Sequence, residues 1–159
     1  MEEFTISELA AGGGMLGICP LPGRFRAYSE DLDAVLQWRP DVVLTMTTLP
    51  EMTRHGADRL GQDLISQGIV WHPLPVSDFG TPTEEVQAAW PDLQPLLARG
   101  GRVLAHCYGG CGRSGMALLR LMVEAGEAGP AALTRLRAVR PCAVETDAQI
   151  RWAVGHRMR

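Results

Sequence analysis

Cys107 and Arg113 frame a glycine-rich stretch, with Tyr108, Gly109, Gly110, Cys111 and Gly112 between them. A thiol attacks at neutral pH only as thiolate, so its pKa must be lowered. A helix N-terminus, inward-turned N–H groups and a nearby guanidinium all do this. The same N–H groups and the forked Arg113 fit the oxygens of a phosphoryl group. One loop would then both activate a nucleophile and bind its substrate. Ser114 follows directly; its hydroxyl could donate to the Cys107 sulfur and ease its departure from a thiophosphate.

The elements that position this loop are legible beside it. Val103 to Ala105 is short and apolar and reads as a buried strand. The loop runs from His106 to Gly115, and an apolar helix follows from Met116 to Glu124. Strand, glycine loop and helix form a phosphate-binding layout, because glycines free the backbone and the helix start adds partial positive charge.

The string His106-Cys107-(x5)-Arg113-Ser114 resembles the signature of cysteine-dependent protein tyrosine and dual-specificity phosphatases. The longer HCYGGCGRSG is most similar to the kinase-associated phosphatase (cyclin-dependent kinase inhibitor 3-like) branch. Weaker likeness runs through Gly17 to Gly23, Trp71 to Pro82 and Ala143 to Gln149. The resemblance implies a phosphatase acting on phosphotyrosine through a cysteinyl-phosphate, and leaves open whether phosphoserine or phosphothreonine are substrates too. It implies no metal and no cofactor. Asp78 lies on a loop after a strand and matches the family's general acid; the plainer reading is an Asx-turn residue. Before the nucleophile the family has a histidine that orients the loop, here His106. A glutamine after an Arg-Pro turn places the hydrolytic water in relatives; Arg140-Pro141 and Gln149 stand accordingly. Thr146 and Gln149 equally form a capping box. Glu51 resembles an acidic residue beside the family's active site, but on its own it reads as a surface glutamate. Where the branch usually has leucine, this chain has Cys111; it either packs or traps Cys107 as a reversible disulfide after oxidation.

Other function classes fare worse. A lipid or small-molecule phosphatase favours basic residues in the loop, and Tyr108 to Gly112 offers none. A phosphoprotein-binding module without turnover has no need of Cys107, Arg113 and Asp78 together. The net charge of −3 argues against general nucleic-acid binding. No apolar run is long enough for a membrane span. His55, His72 and His156 show no ligand spacing, and neither do Cys19, Cys107, Cys111 and Cys142. A working thiolate points to the cytoplasm. All fifteen basic residues are arginine, which suggests a GC-rich bacterial genome. The partner expected is a phosphoprotein or phosphopeptide; oligomeric state is not legible.

The 159 residues suit one phosphatase domain spanning residues 1–159. Strands are expected at Phe4 to Ile6 on an edge, Met15 to Cys19, Asp41 to Met46 in the centre, and Ile69 to Leu74. Helices are expected from a Ser29 cap to Trp38, over Asp58 to Gln67, after a Thr81 cap, from Pro130 to Pro141, and from Thr146. Pro91 and Pro95 should kink or split the third of these. Arg157 and Arg159 suit the last helix's C-terminal end. Arg24 and Arg26 form either a solvated turn or part of the phosphate mouth. Alternating elements imply an α/β fold, with a mostly parallel central sheet flanked by helices as in dual-specificity phosphatases. The site then lies at the strands' carboxyl ends.

Overall fold

A computed structural model describes residues 3–155 of the chain. His156, Arg157 and Arg159 lie outside the described residues. In order the elements are β1 (Ser7–Ala11), β2 (Gly14–Cys19), α1 (Tyr28–Trp38), β3 (Val42–Thr45), α2 (Leu49–Arg54), α3 (Leu60–Ser66), β4 (Val70–Pro73), α4 (Glu84–Ala88), α5 (Gln94–Ala98), β5 (Arg102–His106), α6 (Gly112–Glu124), α7 (Gly129–Val139) and α8 (Asp147–Val154).

The sheet runs β1-β2-β5-β3-β4. Only β1 is antiparallel to its neighbour. The signature strand β5 sits in the middle, so both faces must be covered, and its central residues Val103, Leu104 and Ala105 are apolar and buried. Leu16, Ile18, Val42, Leu44, Val103 and Ala105 face one layer with Leu97 of α5, Leu136 of α7, Ala153 of α8 and most of α6. Cys19, Val43 and Leu104 face the other, with Val35, Met52, Leu60 and Leu64 from the first three helices. Helix α6 is buried along nearly its whole length, as its uniform apolarity requires.

Several expected boundaries move, each for a local reason. The edge strand is Ser7–Ala11 rather than Phe4 to Ile6. Ala11 pairs with Gly14, leaving Gly12 and Gly13, both at positive φ (63° and 98°), as a two-residue hairpin turn. Such a turn fixes the register and draws the strand toward it. Ser29 does not cap α1, which starts one residue earlier after Ala27 without a side-chain cap. Thr83, not Thr81, caps α4, its side chain accepting from Val86 N–H. Pro91 lies between α4 and α5, and Pro95 sits in the first turn of α5. Helix α6 begins at Gly112, so Gly112, Arg113 and Ser114 occupy its first turn instead of the loop. That places Arg113 rigidly at a helix N-terminus.

Candidate active site

The loop after β5 is shaped by where its carbonyls go. Tyr108 C=O accepts from Leu21 N–H at 3.1 Å and from Arg24 Nη1 at 3.3 Å. Gly109 C=O accepts from Arg140 Nη2 at 3.3 Å and Gly110 C=O from Arg140 Nε at 2.9 Å. Cys111 C=O accepts from Gly115 N–H at 2.9 Å and Val144 N–H at 3.1 Å. In a trans peptide the N–H points opposite the C=O. With four successive carbonyls turned outward, the amides of Gly109, Gly110, Cys111 and Gly112 turn inward, forming an anion cradle. Gly110 takes φ 70°, and a Cβ there would meet Arg140 and the Cys19 backbone at 2.5 and 2.6 Å. Both conformation and space therefore require glycine.

Cys107 sits under this cradle, 2 % exposed, with its Sγ 3.1 Å from the buried Ser114 Oγ. Arg113 is 1 % exposed. Its Nη1 and Nη2 lie 2.7 and 2.8 Å from the two carboxylate oxygens of Glu51, and Nη1 also donates to Val76 C=O at 2.9 Å. Its Nε is buried without a hydrogen-bond partner. An orphaned buried donor costs about 1–3 kcal/mol, and an incoming phosphoryl oxygen would satisfy it.

Glu51 is thus no surface glutamate: it clamps the guanidinium from 62 residues away. Its side chain also accepts from Thr48 N–H at 3.0 Å, within the capping box that starts α2. Burial alone would raise its pKa, but the bonds from Arg113 and Thr48 outweigh that and hold it down at about 2.

His106 contacts Thr45 Oγ1 through Nε2 at 2.7 Å, and Trp71 Nε1 donates to the same oxygen at 2.7 Å. Burial, with Arg113 nearby, lowers its pKa to about 4. The ring is neutral at pH 7 and fixes the end of β5. The Tyr108 hydroxyl lies 3.0 Å from His55 Nε2, and its ring carries the Arg24 guanidinium 4.0 Å above its centroid. Arg24 therefore stands at the mouth, while Arg26 pairs with the buried Asp31.

Asp78 reaches the same place from the loop after β4. It is half exposed, with Oδ1 3.4 Å from Arg113 Nη2 and accepting from Phe79 N–H at 3.0 Å. Phe79 takes φ 62°, strain of the kind that persists where the surroundings impose it. Gly80 C=O accepts from Gln149 Nε2 at 3.1 Å, which tethers the loop. Gln149 is fully buried. Its Oε1 accepts from the N–H groups of Glu145 (2.9 Å) and Thr146 (3.2 Å), completing the α8 capping box. Its amide is occupied at both ends. A cavity of about 310 Å³ opens over Cys107, lined by Arg24, Asp78, Phe79, Tyr108, Gly109, Cys111, Gly112 and Glu145. Sequence reasoning passed over Glu145, and over Arg140 as the loop's outer brace.

One expectation is corrected. Cys111 does not pair with Cys107; it forms a disulfide with Cys142, with the two Cα atoms 5.1 Å apart. Arg140 pins the α7–α8 connection onto Gly109 and Gly110, and this brings Cys142 against the loop. Cys107 and Cys19 are free and buried.

Residues 18–127 match the family model described as a polymorphic toxin system DSP-PTPase phosphatase. The chain belongs to the DSP-PTPase phosphatases. It lies near the kinase-associated branch. Mouse cyclin-dependent kinase inhibitor 3 is 33% identical over 135 residues, covering 79% of this chain and 63% of the mouse protein. The human protein is 32% identical over 106 residues, covering 62% of this chain and 50% of its own. The chain thus spans about half to three-fifths of the curated relatives it matches. A solved kinase associated phosphatase, with its catalytic-site cysteine replaced by serine, superposes with TM-score 0.82 at 26% identity, covering 99% of this chain and 96% of that one. Tk-PTP in its active form gives TM-score 0.72 at 26% identity, covering 95% and 97%.

Proposed function

We propose that this chain is a protein phosphatase that hydrolyses phosphotyrosine through a cysteinyl-phosphate, with phosphoserine and phosphothreonine left open as further substrates. The observation that carries the reading is the buried, partnerless Nε of Arg113 beside a cradle of inward amides over Cys107. In the first step the Cys107 thiolate forms the S–P bond as the P–O bond to the leaving oxygen breaks. Asp78 gives that oxygen its proton. Arg113 and the amides of Gly109, Gly110 and Cys111 hold the charge on the equatorial oxygens, joined by the Gly112 amide once the phosphoryl group displaces the Glu145 carboxylate from it. In the second step water attacks phosphorus, Asp78 takes its proton, and Cys107 leaves as thiolate with the Ser114 hydroxyl donating to it. Tyr108 lines the entry to the cradle. Gln149, in this reading, acts through the Asp78 loop it tethers. It was the candidate for placing the water, but its amide is taken up by the cap and by Gly80.

A phosphoinositide or small-molecule substrate suits the mouth less, since two of its walls carry carboxylates, Asp78 and Glu145. The partner is a phosphoprotein or phosphopeptide, and the residues 1–159 act as one domain. A cytoplasmic setting suits a nucleophile that works only as a free thiol, and there the Cys111–Cys142 disulfide would have to withstand reduction. The test is turnover of phosphotyrosyl and phosphothreonyl peptides with chelator present, alongside Cys107→Ser. The serine variant should bind substrate yet lose turnover. Activity above a tenth of the parent's would refute the covalent route.

A further inference from the structure

Glu145 stands in the mouth of the site for no reason that the cap of α8 supplies. Val144, directly before it, takes φ 65°, a left-handed conformation that is a genuine outlier for a β-branched residue. That backbone is over-determined. Val144 N–H donates to Cys111 C=O at 3.1 Å, and Arg137 donates to the carbonyls of Ala143 and Val144 at 2.8 and 2.7 Å. Glu145 N–H is held by Gln149 at 2.9 Å. Strain imposed this firmly aims a side chain. The carboxylate lands on Gly112, with Oε1 2.1 Å from where a Cβ on that glycine would sit. The Gly112 N–H bonds it and, with Arg113, favours its charge; burial and the nearby Asp78 charge work the other way and leave its pKa raised.

The mouth is therefore polarised. At the Gly112 end stand Glu145 and Asp78; at the Tyr108–Gly109 end stands Arg24, braced on the Tyr108 ring. The inward amides over Cys107 mark the same cavity as an anion site. A carboxylate beside that site weakens the binding of any phosphoryl group. It favours turnover only of a substrate that brings a cation to meet it. Resting on the phosphatase reading above, in which Asp78 is protonated and uncharged when substrate is bound, we propose that Glu145 selects phosphopeptides that carry an arginine or lysine beside the phosphorylated residue and disfavours multiply anionic substrates.

A full charge about 6 Å away in a wet rim changes an equilibrium roughly threefold. One carboxylate that attracts Arg and repels Asp, each roughly threefold, should discriminate them by about tenfold at low salt. The experiment compares kcat/KM for phosphotyrosyl peptides flanked by Arg or by Asp, on either side, at 20 mM and 500 mM salt. It adds inhibition by inorganic phosphate and turnover of a phosphoinositide. The parent should prefer the Arg peptide about tenfold at low salt, and the preference should shrink at high salt. In Glu145→Gln the ratio should fall to near one, and phosphate should inhibit more tightly. Glu145→Asp should keep part of the preference. A residue that merely shapes the α8 cap would move both peptides together and leave the ratio and its salt dependence unchanged; that result overturns the proposal. A parent ratio near one, or a phosphoinositide turned over faster than the Arg peptide, overturns it too. Turnover of no phosphopeptide at all would overturn the phosphatase reading and this one with it.

Discussion

Glu51→Gln isolates the pair that holds Arg113. Two charged contacts, at 2.7 and 2.8 Å, disappear, while the guanidinium stays buried at 1 % exposure. The carboxyl's drop from 4.5 to about 2 is equivalent to roughly 3 kcal/mol, at about 1.4 kcal/mol per pH unit. Glu51 is partly solvated at the rim, with its side chain 16% exposed, so screening reduces this to about 2 kcal/mol. A folded-state pKa below the unfolded one gives stability that is present above pH 4.5 and lost as pH falls through about 2. Urea unfolding at pH 7 should therefore show the glutamine variant about 2 kcal/mol less stable. The parent's extra stability should vanish between pH 4.5 and 2, and the variant should lack that part of the acid transition. Saturating phosphate supplies a replacement counter-charge and should recover part of the loss. Equal stability at pH 7, or an acid transition unchanged by the substitution, would refute the clamp.

Asp78→Asn should lower kcat/KM about 10²–10⁴-fold on phosphotyrosyl peptide and much less on an activated aryl phosphate, because only the basic phenolate needs the proton. Equal losses on both would remove Asp78 from proton transfer. Arg113→Lys keeps the charge but not the fork that joins Glu51 to a phosphoryl group, so most activity should go; near-normal kinetics would argue against the contact. Cys142→Ala opens a link between residues 31 apart in sequence. On loop-closure entropy this should cost about 3–4 kcal/mol, matched in the parent by a phosphine reductant. Identical unfolding curves with and without reductant would refute it.

The alternation of strands and helices was legible because β2, β3 and β5 each carry a compact apolar run and most breaks carry glycine or proline. The cradle was legible because Cys107, Arg113, Ser114 and four glycines are contiguous. What escaped the sequence was long-range. Glu51 reaches Arg113 across 62 positions, and nothing local separates it from a surface glutamate. Cys111 and Cys142 have no recognisable spacing; they meet only because Arg140 ties the α7–α8 connection to Gly109 and Gly110. Glu145 looks like an ordinary residue before a helix cap until the left-handed Val144 turns it inward. The β1 hairpin was available in Gly12-Gly13, but polar flanking residues concealed the strand.

The disulfide has a chemical cost for the nucleophile. A cysteine oxidised to its sulfenic acid is rescued when a neighbouring thiol condenses with it. Here Cys111 is already bonded to Cys142. Cys19 packs in the opposite layer from Cys107, fully buried and with its thiol pKa pushed up by burial, so it yields little thiolate. With no resolving thiol at hand, further oxidation of Cys107 leads to the sulfinic acid, which reductants do not reverse. Peroxide should consume this protein rather than switch it, unless a small external thiol enters the 310 Å³ cavity first.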